Sequence, residues 1–299
     1  MQESVKMESV VSLNPAVTPF FDEESNTFSY VVRDPDSQSC AVIDSVLDFD
    51  YASGGVSHTG ADAIIRFVRD NNLNVEWIVE THAHADHLSA GHYLRDELGG
   101  KLAIGEDIKT VQKVFGGIFN LGASLAHDGS QFDHLFVDGE TYNIGGLEVQ
   151  VLHTPGHTPA CMSHLIGDAL FVGDTLFLPD SGTARADFPG GDAKTLFRSI
   201  HKLLQLPGAT RVFMCHDYGH EGRELEYETT ISEERTRNIH VNEKVTEEEF
   251  VHMRTERDKT LGMPHLILPS LQVNVRAGEF PAPEDNGVVY LKVPINAFS

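Results

Sequence analysis

The hexad His82-Ala83-His84-Ala85-Asp86-His87 constrains this chain more than any other feature. It follows directly on the apolar run Trp77-Ile78-Val79-Glu80-Thr81, so it stands at the end of a strand. Three imidazoles and a carboxylate within six residues make a dense nitrogen and oxygen donor set for a first-row transition metal. In an extended segment His82 and His84 project to one side, and a helical turn after them would bring Asp86 and His87 round to the same cavity. A lone histidine in a loop is ordinarily a surface residue; four ligand-type residues in one hexad outweigh that reading.

Three later segments supply what a closed site still needs. They are His157 in His153-Thr154-Pro155-Gly156-His157-Thr158, Asp174 in Phe171-Val172-Gly173-Asp174-Thr175, and His216 in Val212-Phe213-Met214-Cys215-His216-Asp217. Each ends an apolar, strand-like run, where rigid scaffolds present functional side chains. Strand-like runs at 29–32, 40–43, 77–80, 148–152, 169–172 and 211–214 alternate with amphipathic helical stretches at 61–70, 87–98, 107–115 and 192–204.

Taken together, H-x-H-x-D-H, T-P-G-H-T, G-D-T and a final strand-end His resemble the metallo-β-lactamase superfamily over residues 20–220. The resemblance implies an α/β fold, the αββα sandwich of two mixed sheets packed face to face, with the metal site at one edge where strand-end loops converge. On this reading residues 1–220 form the metallo-β-lactamase domain, and residues 221–299 are a C-terminal helical extension packed on it. Within that extension Thr246-Glu247-Glu248-Glu249 has Thr-x-x-Glu capping chemistry and opens a helix running to residue 261.

At 299 residues and 40% hydrophobic content the chain can bury a substantial core, and one large elaborated domain fits better than two equal ones. Residues 1–15 lack a basic stretch followed by an apolar one, and no run is long enough to span a bilayer, so a cytoplasmic protein with no membrane association is expected. Cys40, Cys161 and Cys215 are odd in number and far apart, which does not suggest a disulfide framework; packing is the reading for all three. A formal charge of −23, from 45 acidic against 22 basic residues, excludes nucleic acid as the natural partner. Against that background Arg185, Arg235 and Arg237 stand out as sites for an anionic small molecule, with pairing to neighbouring acids on a solvated face as the alternative.

Within the superfamily the resemblance tightens to the glutathione-linked branch. Gly173-Asp174-Thr175-Leu176-Phe177 with Ala184-Arg185-Ala186-Asp187-Phe188, then His216-Asp217-Tyr218 and Glu233-Glu234-Arg235-Thr236-Arg237-Asn238, are similar to the persulfide dioxygenases of the ethylmalonic-encephalopathy type, in a bacterial subgroup. That resemblance implies one Fe(II) per chain held by His82, His157 and Asp174, with glutathione persulfide and O2 converted to sulfite and glutathione. It makes His84, Asp86, His87 and His216 catalytic residues around the iron, and Arg185, Tyr218, Arg235 and Arg237 the substrate-binding ones. Because all seven potential donors are present, a dinuclear thioesterase of the glyoxalase II kind, acting on S-lactoylglutathione, is the alternative. A non-catalytic metal-binding sensor or partner protein is the alternative from another class, and a homodimer is left open. Between His87 and His157 lie 69 residues (157 − 87 − 1), with the excess over the mitochondrial type at 115–135, a lid, a dimer contact or a surface insertion.

Overall fold

Alternating apolar side chains build two sheets that share one core. The computed structural model describes residues 14–297. The first half of the chain runs β1 (Ala16–Asp22), β2 (Thr27–Arg33), β3 (Ser39–Ile43), β4 (Val46–Asp50), β5 (Gly55–Ser57), α1 (Thr59–Asp70), β6 (Asn74–Val79), β7 (Leu88–Ser89), α2 (Gly91–Leu98), β8 (Lys101–Gly105), α3 (Ile108–Ile118) and β9 (His134–Phe136). The second runs β10 (Thr141–Ile144), β11 (Leu147–His153), β12 (Met162–Ile166), β13 (Ala169–Phe171), α4 (Ala193–Leu203), β14 (Arg211–Phe213), β15 (Glu228–Thr230), α5 (Ile231–Arg237), α6 (Glu247–Asp258) and α7 (Ile267–Asn274). One sheet has the order β1-β2-β3-β6-β8-β9, the other β10-β11-β12-β13-β14-β15, and β5-β4-β7 form a small third sheet. Both large sheets are mixed: β3, β6, β8 and β9 pair in parallel, as do β13 and β14, and the remaining neighbours are antiparallel.

Period-two alternation sorts the faces. Phe28, Tyr30 and Val32 of β2 and Ala41 and Ile43 of β3 meet Val149 and Val151 of β11 and Phe171 of β13 between the sheets. The intervening Val31, Cys40 and Val42 turn outward and are covered by Ile64 and Ile65 of α1, Leu94 of α2 and Val111 of α3. On the far side Leu170 and Val212 pack under Leu196, Ile200 and Leu203 of α4 and Phe250 of α6. Each such side chain contributes roughly 1.5–3 kcal/mol by leaving water. The result is the expected four-layer sandwich.

Three expectations are corrected. The helix expected from residue 87 begins at Gly91, because Leu88 and Ser89 are extended and pair with Leu47 and Val46 of β4. No helical turn therefore carries Asp86 and His87; tertiary pairing overrides the local periodicity there. The excess at 115–135 is neither lid nor loose surface, since Phe119, Leu121, Leu125 and Phe132 are buried in the same cluster as Leu271, Val273 and Val275. The helix expected to reach residue 261 ends at Asp258, although its start carries the full reciprocal cap between Thr246 and Glu249.

The chain after β15 does not stay on one side. α6 packs on α4 outside the second sheet, whereas α7 lies against β7 and the cluster outside the first. Among the described residues no helix is long and apolar enough to cross a membrane. The reading of residues 1–15 falls almost wholly outside the described residues.

Candidate metal centre

The donor side chains leave the sheets at the ends of β6, β11, β13 and β14, on the edge where the parallel strands point their C-termini. Two glycines are required by that edge. Gly156 has φ +138, and a Cβ there would strike the backbone of Leu196 at the start of α4. Gly173 has φ +50, and a Cβ would strike the Thr81 side chain beside His82. The residue after each glycine, His157 and Asp174, is thus brought against the hexad.

His82, His157 and Asp174 present one donor atom each, all within 4.8 Å of one another, and His84, Asp86 and His87 do the same alongside. Nε2 of His82 and of His157 stand 3.9 and 3.6 Å from Oδ2 of Asp174, and Nε2 of His216 is 3.2 Å from its Oδ1 and 3.4 Å from Oδ2 of Asp86. All seven residues predicted as metal or catalytic groups therefore converge.

Each imidazole has one nitrogen held by an oxygen that accepts in this arrangement, which assigns its tautomer. His157 Nδ1 donates to the Arg185 carbonyl at 2.8 Å, His216 Nδ1 to the Asn26 carbonyl at 3.2 Å and His87 Nδ1 to the Asp86 carboxylate at 3.3 Å. His84 Nε2 donates to Asp44 at 3.0 Å. The Thr81 hydroxyl donates to Asp44 at 2.9 Å and so accepts from His82 Nδ1 at 3.1 Å. What remains are buried polar atoms without a hydrogen-bond partner: Nε2 of His82, Nδ1 of His84, Nε2 of His87 and Oδ1 of Asp174. Unsatisfied buried donors and acceptors are costly, so four of them distributed over the two donor groups fit a bound cation.

Electrostatics agree with the geometry. Burial alone would neutralise His84, but Asp44 and Glu80 hold it well above the ordinary imidazole range; burial is likewise outweighed at His216, which Asp174 and Asp86 push up to about 9. Burial and the neighbouring His84 take His82 well below its ordinary value. Burial opposes ionisation of Asp86 and Asp174 as well, yet the surrounding imidazoles, His216 first, lower both. Four buried or nearly buried carboxylates, Asp44, Glu80, Asp86 and Asp174, thus draw positive charge into the cluster. Nitrogen and oxygen donors of this kind suit iron or zinc.

A family model described as the metallo-beta-lactamase superfamily matches residues 22–216, which span the hexad and every later donor. The chain belongs to the metallo-beta-lactamase superfamily. Among its relatives in that superfamily, a probable metallo-hydrolase of Burkholderia pseudomallei is 54% identical over 94% of this chain and 99% of its own length. Glyoxylase B2 of Dictyostelium discoideum is 51% identical over 95% and 98%. The mitochondrial persulfide dioxygenase ETHE1 of Homo sapiens is 30% identical over 86% and 87%. Among solved structures, ETHE1 from Myxococcus xanthus superposes with a TM-score of 0.71 at 28% identity, covering 88% of this chain and all (100%) of that one.

Over the metallo-beta-lactamase floor lies a cavity of about 260 Å3. Asp86, His157, Asp174 and His216 form its base, Phe177, Phe188, Leu261 and Pro264 its apolar sides, and Arg185 and Tyr218 also reach it. Arg235 and Arg237 do not. Arg235 donates to the carbonyls of Leu204 and Leu206 at the end of α4, and Arg237 pairs with Glu233 on the surface at 2.8 Å. The Glu-Glu-Arg-Thr-Arg-Asn segment is therefore scaffold: Asn238 donates to Glu234 and to the Gly182 carbonyl, and its own oxygen accepts from the backbones of His240 and Val241. The three cysteines are buried and unpaired by disulfides, as read from the sequence.

Sequence reasoning missed two residues that hold the centre. Asp44, at the end of β3 with φ +51, accepts from the Thr81 backbone and hydroxyl and from His84. Its signal was available, an acid closing the apolar run 40–43 as the donors close theirs. Asn274 of α7 donates to the carbonyls of His84 and His87, both at 2.8 Å, and accepts from the Ser89 backbone at 2.8 Å. Nothing local marks it.

Proposed function

We propose that the protein is a mononuclear iron persulfide dioxygenase acting on glutathione persulfide. The observation that carries the reading is the set His82, His157 and Asp174, two imidazoles and one carboxylate with their donor atoms mutually within reach, of which His157 and Asp174 line the base of a cavity. Two histidines and a carboxylate on one face make the triad of non-haem iron oxygenases. Similarity to the human persulfide dioxygenase across most of both chains supports the same choice.

Iron bound there would supply O2 activation and a position for the sulfane sulfur. The protein's own contribution is placement. The Thr81 hydroxyl and the Arg185 carbonyl keep the Nε2 atoms of His82 and His157 aimed at the base. Phe177, Phe188, Leu261 and Pro264 exclude water from the sides, and His216 and Asp86 flank Asp174 where they can hold or pass a proton. Persulfide, O2 and one water give glutathione, sulfite and two protons, so the outer sulfur is oxidised and O2 reduced with both oxygen atoms retained.

A dinuclear thioesterase is favoured by one observation, the second donor group of His84, Asp86 and His87, and two relatives carry hydrolase or glyoxylase names. The two readings differ in their need for O2. Under the dioxygenase reading, glutathione persulfide drives stoichiometric O2 uptake, sulfite carries label from 18O2, and S-lactoylglutathione is scarcely cleaved. Full turnover without oxygen, or rapid cleavage of the lactoyl thioester, overturns it in favour of the hydrolase.

A further inference from the structure

Three arginines line the cavity, and they are not equivalent. Arg185 lies 4.8 Å over the Phe188 ring with its guanidinium already engaged, by Asp187 at 2.6 and 2.8 Å and by the Gly262 carbonyl at 2.6 Å. Arg254, fully buried, is held by Asp258 at 2.6–2.8 Å and by the Thr183 carbonyl at 2.9 Å. Arg257, three residues further along α6, lines the cavity but is exposed, and among the described residues no carboxylate or carbonyl takes a hydrogen bond from its guanidinium. In a chain of net charge −23, an arginine at a cavity rim that no acid pairs with concentrates anions there.

Three kinds of group share the lining. They are the donors Asp86, His157, Asp174 and His216, the aromatic and aliphatic groups of Phe177, Phe188, Leu261 and Pro264, and Arg257 on the stretch of α6 that faces the cavity. A ligand complementary to that lining combines a sulfur for the metal donors, an apolar stretch and a carboxylate for the guanidinium. Guanidinium recognises carboxylate through paired, charge-assisted hydrogen bonds, which an ammonium reproduces only in part.

We propose that Arg257 is a specificity residue, binding a substrate carboxylate and selecting carboxylate-bearing thiol persulfides over small uncharged ones. The proposal rests on the persulfide reading for its kinetics but not for its binding. The test uses the iron-loaded full chain with Arg257→Ala, Arg257→Gln and Arg257→Lys. With Ala and Gln, KM for glutathione persulfide rises about tenfold or more while kcat stays within about threefold, and Lys recovers part of the loss. The preference in kcat/KM for glutathione persulfide over 2-hydroxyethyl persulfide falls by the same factor, with iron content unaltered. Calorimetric titration with S-methylglutathione, which needs no oxygen chemistry, weakens in parallel. Equal losses for both persulfides, an unchanged KM, or no S-methylglutathione binding by the unsubstituted protein would overturn the assignment. Should the protein turn over no persulfide at all, the dioxygenase reading fails and the titration alone still decides the role of Arg257.

Discussion

The base of the cavity and its α6 wall are built on opposite principles. At and beneath the base, five imidazoles and two carboxylates from four strand ends converge, the imidazoles each fixed by a partner, and buried atoms of His82, His84, His87 and Asp174 are left without one. Of the lining arginines, Arg185 and α6's Arg254 are neutralised within the protein, and only Arg257, also on α6, has no acid partner among the described residues. The base is thus prepared for a cation before any arrives, whereas the wall offers shape and a single unclaimed charge. Affinity for metal and choice of substrate are accordingly separable by mutation.

The strongest attempt to break that separation is removal of a base donor. His82→Ala, His157→Ala and Asp174→Ala should each abolish bound metal and lower activity by about 1,000-fold or more, since two donors do not retain a labile divalent ion. Metal analysis of the purified variants checks this, and retention of a full complement in any of them would shift the centre onto the His84, Asp86 and His87 group. One step outward, Asp44→Asn keeps the size but loses the carboxylate that orients His84 and Thr81. Metal affinity should fall by about 10–100-fold, measured by chelator competition, with the fold intact by circular dichroism.

Asn274→Ala tests whether the extension reaches the base. It strips three hydrogen bonds from the segment 84–89 and should destabilise the protein by about 1–3 kcal/mol while weakening metal binding by only about tenfold. A variant destabilised without any change in metal affinity would show that the brace serves folding alone.

The smallest effect concerns pH. Burial first, then the Asp180 and Glu233 carboxylates, push Glu234 up to about 8, above its ordinary 4.5. A raised carboxyl favours the folded state fully below the unfolded pKa, and that contribution is lost as pH rises from about 4.5 through about 8. Chemical denaturation across this interval should show falling stability in the natural chain and a flatter profile in Glu234→Gln, with metal content the same in both.

The base was legible in the sequence because its chemistry is local: a hexad and three short motifs, each ending an apolar run, announce seven donors without knowledge of the fold. The apolar runs at 29–32, 40–43 and 148–152 likewise marked β2, β3 and β11. What escaped is set by distant contacts. Leu88 and Ser89 read as helix because their pairing with β4 is invisible in a local window. Arg235 was correctly seen as unusual, but its partners are main-chain carbonyls 29 and 31 residues away, so nothing nearby distinguished a helix-end clamp from a ligand contact. Arg257 had no such motif around it and was passed over.

The brace from Asn274 to His87 closes a loop of 187 residues. During synthesis the hexad leaves the ribosome long before its clamp exists, and in that interval the carbonyls of His84 and His87 lack the Asn274 amide. Loop closure over such a span is slow to be found, though its entropic cost grows only with the logarithm of length. Metal capture by the nascent chain would therefore meet a softer site than capture by the finished one. A premature stop before α7 would keep all seven donors in the sequence and still weaken metal binding.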